Sequence, residues 1–172
     1  PAVWQGLYFA FFGGLLFLVM IPLAPYLVAV GGHIPELQRL ETVYLRYLAA
    51  AALPMAMVAA VNGFFSGRGQ TWTVLAIDAV GTVVNVALGL VLIFGRLGFP
   101  EMGIAGAGLS TVLGAWASAL FGLWLLFRRK FRAEYGTLSG WKPERELFGR
   151  LLRFGGPAGI QMFLDVLAFT LF

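Results

Sequence analysis

Two acids stand where an acid is costly. Asp78 and Asp165 each lie inside a long apolar run, and a charged side chain held in hydrocarbon marks an ion pathway or a proton relay. Thr82, Asn85 and Gly89 follow Asp78 at helical spacing, so on a helix all four share one face. An acid, a hydroxyl, an amide and a glycine together suit a water-filled cavity. Tight helix packing would not require an acid at position 78, which favours the cavity there. Asn85 fits either arrangement, because an amide also bonds well across a close helix interface. Gln161 precedes Asp165 by one turn. A carboxyl in such a place can exchange a proton as its helix moves, and it is a hard ligand for a small cation. The competing role for Asp165 is structural pairing with a base or hydroxyl on another helix. The chemistry is cation binding linked to movement, with Asp165, Asp78 and Asn85 as candidate coupling residues.

Bond-making chemistry has little support. The sequence contains no cysteine and one histidine, His33, so thiolate metal sites and cysteine nucleophiles are excluded. No HExxH or GxSxG arrangement is present, and Gly67-Arg68-Gly69 is too short for a phosphate loop. An enzyme is not expected, and neither is a cofactor beyond a proton or sodium ion as coupling ion.

The elements that must hold these acids are membrane helices. Of 172 residues, 60% are hydrophobic and 12% charged, with mean hydropathy +0.86. A soluble domain carries about 25% charged residues, so a soluble enzyme and a disordered tail are both excluded. Uncharged stretches predict five spans at 4–21, 47–67, 72–95, 102–127 and 154–172, each near the ~20 residues a crossing needs. Pro22 and Pro25 are expected to end the first span and Pro54 to kink the second. The fold class is all-α, a polytopic membrane helix bundle, because a lipid-exposed backbone must satisfy its own hydrogen bonds. The last run reaches Phe172 with nothing polar after it, and the first residue is Pro1. Both ends predict a piece of a larger integral membrane protein.

The loops give an orientation. Arg68, Arg128, Arg129, Lys130, Arg132, Lys142, Arg145, Arg150 and Arg153 fall on one side of five spans, and Arg39, Arg46 and Arg96 on the other. The positive-inside rule places the first side in the cytoplasm, with His33 and Glu36 in an outer loop. The basic stretch is thereby a membrane-surface feature that needs no nucleic acid. Residues 1–127 form four spans, 128–153 a basic cytoplasmic linker and 154–172 a fifth span. Within the linker, 136–140 is a flexible stretch and Lys142-Pro143-Glu144 resembles a helix start. Leu147, Phe148, Leu151 and Leu152 share one face, predicting a short interfacial helix that leads into the fifth span. In the fourth span Gly103, Gly106, Gly108, Ser110 and Gly114 form a small-residue, close-packing face.

Several strings also resemble a known family. Residues 62–71, with Asn62, Gly63, Gly67, Arg68, Gly69 and Gln70, look like the end of the fourth helix in multidrug and toxic compound extrusion (MATE) transporters. Asn85, Ile93-Phe94-Gly95 and the stretch from Met102 to Thr111 resemble that family's fifth and sixth helices. Trp4-Gln5-Gly6, Tyr44-Leu45-Arg46 and Gly156-Pro157 with Gly159 and Gln161 resemble the openings of its third, fourth and seventh. The resemblance implies part of a twelve-helix, two-lobe transporter, completed by helices one, two and eight to twelve. It implies exchange of organic, often cationic compounds for protons or sodium ions by alternating access, in the inner (plasma) membrane. It also implies that Asn85 lies near a first-lobe cation site and that Thr111 lines the same cavity; Thr82, from its spacing to Asp78, and Gln161, from its spacing to Asp165, are further candidate lining residues. Asp165 matches a seventh-helix acid of the second lobe. Gly89 stands where many members carry Asp or Asn. The alternatives are a flippase of lipid-linked saccharides or polymers and a stand-alone structural membrane subunit. Acids without Lys or Arg inside the spans favour a cationic cargo.

Overall fold

The computed structural model describes residues 2–29, 31–129, 131, 141–142 and 144–171. Among these every regular element is a helix, in the order α1 (Ala2–Leu18), α2 (Met20–Ala29), α3 (Pro35–Ser66), α4 (Thr71–Ile93), α5 (Ile104–Phe127) and α6 (Arg145–Leu171). The all-α membrane bundle expected from composition is what the backbone forms. Helices α3, α4 and α5 are each long and apolar enough to cross a bilayer, and α1 with α2 makes a fourth candidate bent by 53°. Many side chains in the second half of α6 lie outside the described residues, so the fifth expected span is seen as backbone. Lys130, Arg132 and the flexible stretch 136–140 also fall outside them.

The first span does not end at its prolines. The break comes at Val19, and both Pro22 and Pro25 sit inside α2. Pro22 occupies the first turn, where a helix has no use for the missing N–H. Pro25 is deeper, and its ring leaves the carbonyl of Ile21 without the usual i−4 donor. Arg46 of α3 supplies one: its Nε donates to Ile21 O at 3.3 Å. The proline is thus accommodated by a neighbouring helix.

Helix α3 starts twelve residues before the expected span, at Pro35 rather than 47. Proline at its first position and Glu36 in its first turn are favourable there, so Glu36 is helical and not part of a loop. His33 Nδ1 pairs with Glu41 at 3.0 Å just before and after that start. At 32 residues, α3 is about 48 Å long at 1.5 Å per residue, well beyond the ~30 Å hydrocarbon core. It continues through Pro54, which is buried. Helix α6 likewise runs unbroken from Arg145 through Pro157 to Leu171. The expected interfacial helix and the span are one element.

Packing follows the small residues. Lipid tails are as apolar as leucine, so helices associate by close van der Waals fit. A Cβ on Gly106 would stand 2.7 Å from the Leu92 carbonyl carbon, and one on Gly108 would meet the Tyr47 ring at 2.6 Å. Helix α5 therefore lies directly on α4 and α3, and these two touch each other only sparingly. Below them Val61, Phe65, Ile77 and Leu126 are fully buried with Val3 and Leu7, sealing the end where α1 and α4 begin and α3 and α5 finish. Gly95, at φ +63°, makes the α4–α5 turn, where a side chain would run into the Glu101 backbone.

Candidate functional site

The face shared by α3, α4 and α5 holds the polar side chains. Asp78 lies two turns into α4 and accepts a hydrogen bond from Asn62 Nδ2 of α3 at 2.9 Å. The orientation of that amide is fixed by chemistry, since only its nitrogen can donate to a carboxylate. Its other end, Asn62 Oδ1, is buried with no hydrogen-bond partner among the described residues. One turn on, Thr82 Oγ1 returns its proton to the Asp78 carbonyl at 2.9 Å, leaving its lone pairs open.

Asp78, Thr82, Asn85, Thr111 and Ser118 line a cavity of about 270 Å³ with Met55, Val58 and small residues of α4 and α5. A second cavity of about 280 Å³ continues it towards Tyr44, Gly89 and Ser110, and Asn85 and Thr111 belong to both. No basic side chain lines either one among the described residues. The groove therefore carries one acid, one amide and several hydroxyls, a lining able to hold water and a small cation.

Close helix contact and cavity coexist at Asn85. Its Cβ is what a side chain on Gly114 would strike, at 2.8 Å, while its Oδ1 lies 3.4 Å from Ser110 Oγ, whose single proton has a shorter alternative acceptor in Ala107 O at 2.9 Å. This amide therefore sits both at a close helix contact and on the cavity wall. Thr111 spends its proton on Ala107 O at 2.9 Å. Ser118 is buried and donates to Ile77 O at 2.8 Å, where it fills the notch left by Gly81.

The remaining candidates lie elsewhere. Gln161 and Asp165 are exposed on α6 and are not among the residues lining either polar cavity. The reason is topological: α6 packs on α1, and α1 packs on α3 and α2 but not on α4. The groove between α6 and α3 is apolar, about 420 Å³, walled by Ala56, Ala59 and Ala60 against Leu151, Leu152 and glycines of α6. Asp78 and Asp165 consequently occupy separate environments.

Asn62 was not among the candidates, although a signal existed: it is an amide inside a predicted span. Ser110 and Ser118 are small enough to read as packing residues, and only the cross-helix bonds reveal their polar role. The linker contributes too. Trp141 O accepts from Tyr8 Oη at 2.5 Å and Lys142 O from Gln5 Nε2 at 3.0 Å, tying this segment to the start of α1.

A four-helix unit with this polar groove can be compared with known proteins. The MatE family model matches residues 1–91. The chain belongs to the MatE family. That membership points to a transporter rather than an enzyme, and to a multi-pass membrane protein. Among curated proteins the chain is similar to a "Probable multidrug resistance protein NorM" of Thermotoga maritima, 26% identical over 94% of this chain and 34% of that protein. The proteins of the same name from Shewanella oneidensis and Neisseria meningitidis serogroup A are 27% and 28% identical, over 99% and 98% of this chain. They are covered to 38% and 36% of their own lengths. The chain thus spans about a third of the length of the curated relatives it matches. No solved structure matches it.

Proposed function

We propose that this MatE segment works within a cation-coupled multidrug antiporter, exporting organic, cationic compounds by alternating access in exchange for protons or sodium ions. The observation that carries the reading is the α3–α4–α5 groove, with Asp78 exposed in it and no base beside it. A carboxylate without a fixed counter-charge attracts a cation from water, and in low dielectric that attraction is strong. An ion and an organic cation that both need the acid cannot hold it together, which gives exchange a physical basis. The relatives' name, probable multidrug resistance protein, supports drug export.

In this proposal Asp165 is the leading coupling residue on the second-lobe side. Asp78 and Asn85 serve the first lobe, and Thr82 and Thr111 line its path. The segment acts with further helices, one, two and eight to twelve, in the inner (plasma) membrane, with 128–153 on the cytoplasmic face. A flippase for lipid-linked phosphates would need bases in the groove, where the acid Asp78 and the amide Asn85 stand instead.

The test is ethidium efflux from energised cells expressing the full-length transporter, with the proton and sodium gradients collapsed separately. Efflux that stops with one gradient supports the antiporter and names its ion. Efflux indifferent to both gradients, or none despite membrane expression, contradicts it.

A further inference from the structure

The apolar groove between α6 and α3 stays wide although both of its walls are rich in small residues. Ala56 and Ala60 of α3 stand against Gly155 and Gly159 of α6 across about 420 Å³. Small residues normally let helices close on one another, as Gly106, Gly108 and Gly114 do in α5. On α6 they do not: a Cβ built on Gly155, Gly156 or Gly159 would meet nothing within 4 Å. We propose that this groove binds one acyl chain of an anionic phospholipid, from the leaflet beside the linker, with the lipid phosphate held by Lys142 and Arg153. The proposal goes beyond the transport reading and needs only that the chain sits in a bilayer.

The lining decides the class of occupant. No polar side chain borders the groove, so water finds nothing there to bond to. A helix is about 10 Å across and rises about 5.4 Å per turn, so the groove has room for roughly one turn of it. An acyl chain is a single file of methylenes. It fits a narrow apolar slot and gains van der Waals contact along both walls.

The depth suits the same occupant. Gly6 and Ala10 of the α1 wall lie shortly after the start of that helix at Ala2, about 6–12 Å along its axis. That is within the nearer half of a ~30 Å hydrocarbon core. The linker sits at this end, because Gln5 Nε2 donates to Lys142 O at 3.0 Å. Phe9 and Phe148 meet with ring centroids 6.4 Å apart, which pins α6 to α1 while its face towards α3 stays open.

The mouth carries the matching charge. Residues 141–153 hold four bases, Lys142, Arg145, Arg150 and Arg153, against two acids, Glu144 and Glu146. Arg150 is engaged by Glu146 at 2.8 Å. Lys142 and Arg153 are exposed and have no ion pair among the described residues. Lys142 is tied beside Gly6 through Gln5, and Arg153 directly follows Leu152 of the opposite wall. Long basic side chains near a helix end reach the headgroup level, and bases gathered between membrane helices suit anionic headgroups.

Photolabelling of the full-length transporter in liposomes tests this, with a diazirine in one acyl chain of phosphatidylglycerol or of phosphatidylcholine. The phosphatidylglycerol label is expected to concentrate on peptides covering 56–60 and 151–159. Gly155→Leu and Gly159→Leu each place a side chain in open space and should cut that label about tenfold. Lys142→Gln combined with Arg153→Gln should lower it to the phosphatidylcholine level. The wild-type label map requires no variant to fold. Label spread evenly over the exposed faces of α4 and α5 would mean bulk lipid contact only and would overturn the proposal. So would equal labelling by the two lipids, or a label unchanged in both leucine variants. Protection of 56–60 and 151–159 from both lipids would show that protein covers the groove, and would also overturn it.

Discussion

Gly114 of α5 faces Gly81 of α4 so closely that a Cβ on Gly114 would stand 2.8 Å from the Gly81 carbonyl oxygen. Backbone meets backbone here, with nothing flexible to yield. Overpacking of this kind costs about 1–3 kcal/mol. Gly114→Ala and Gly106→Ala should each lower the unfolding temperature of the purified transporter. Gly13→Ala, at a position with nothing within 4 Å, should leave it unchanged or raise it slightly. Equal melting of all three variants would remove the close-packing account.

The Arg46–Ile21 bond makes a reciprocal prediction. Arg46→Met should destabilise by about 1 kcal/mol, the net worth of one hydrogen bond. Pro25→Ala returns the missing N–H to Ile21 O, so in that background Arg46→Met should cost nearly nothing. A double-mutant cycle of denaturation free energies reads the coupling, and additive effects would show that Arg46 does not serve the proline.

The linker should loosen when its ties are cut. Gln5 is almost wholly buried, at 2% exposure, and with Tyr8 it holds the carbonyls of 142 and 141. In the double variant Gln5→Leu, Tyr8→Phe, limited chymotrypsin digestion after Trp141 should be more than about tenfold faster than in wild type. Each lost bond is worth about 1 kcal/mol, and 1.4 kcal/mol is tenfold. An unchanged rate would mean that the segment is held by something else.

Asp165→Asn should abolish coupled export while leaving membrane expression unchanged, because the side chain is exposed on α6 and no described residue bonds to it. Ethidium efflux alongside a quantitative immunoblot reads both. Export at the normal rate would take Asp165 out of the mechanism.

Much of this was legible in the chain itself, and the exceptions have causes. The α4 face of Asp78, Thr82 and Asn85 could be read because 3.6-residue periodicity needs no tertiary knowledge. The partner Asn62 could not, because which helix lies against α4 depends on packing across α5. The prolines misled for a similar reason: Pro25 breaks a helix only if its orphaned carbonyl stays unsatisfied, and Arg46, twenty-one positions later, satisfies it. The early start of α3 was hidden by its charges, Glu36, Arg39 and Glu41, which read as a loop when judged by hydropathy alone. What Gln161 and Asp165 look onto is not legible either, because spacing fixes a face and not what the face looks onto.

The most direct test of the central claim is exchange by the reconstituted full-length transporter. Tetraphenylphosphonium movement would be driven by an imposed pH gradient and compared between wild type and Asp78→Asn. The account predicts gradient-driven movement in wild type and loss of at least tenfold in the variant, with expression and unfolding temperature retained. Equal movement in the two proteins would contradict it, since the acid in the α3–α4–α5 groove would then have no part in coupling cation to cargo.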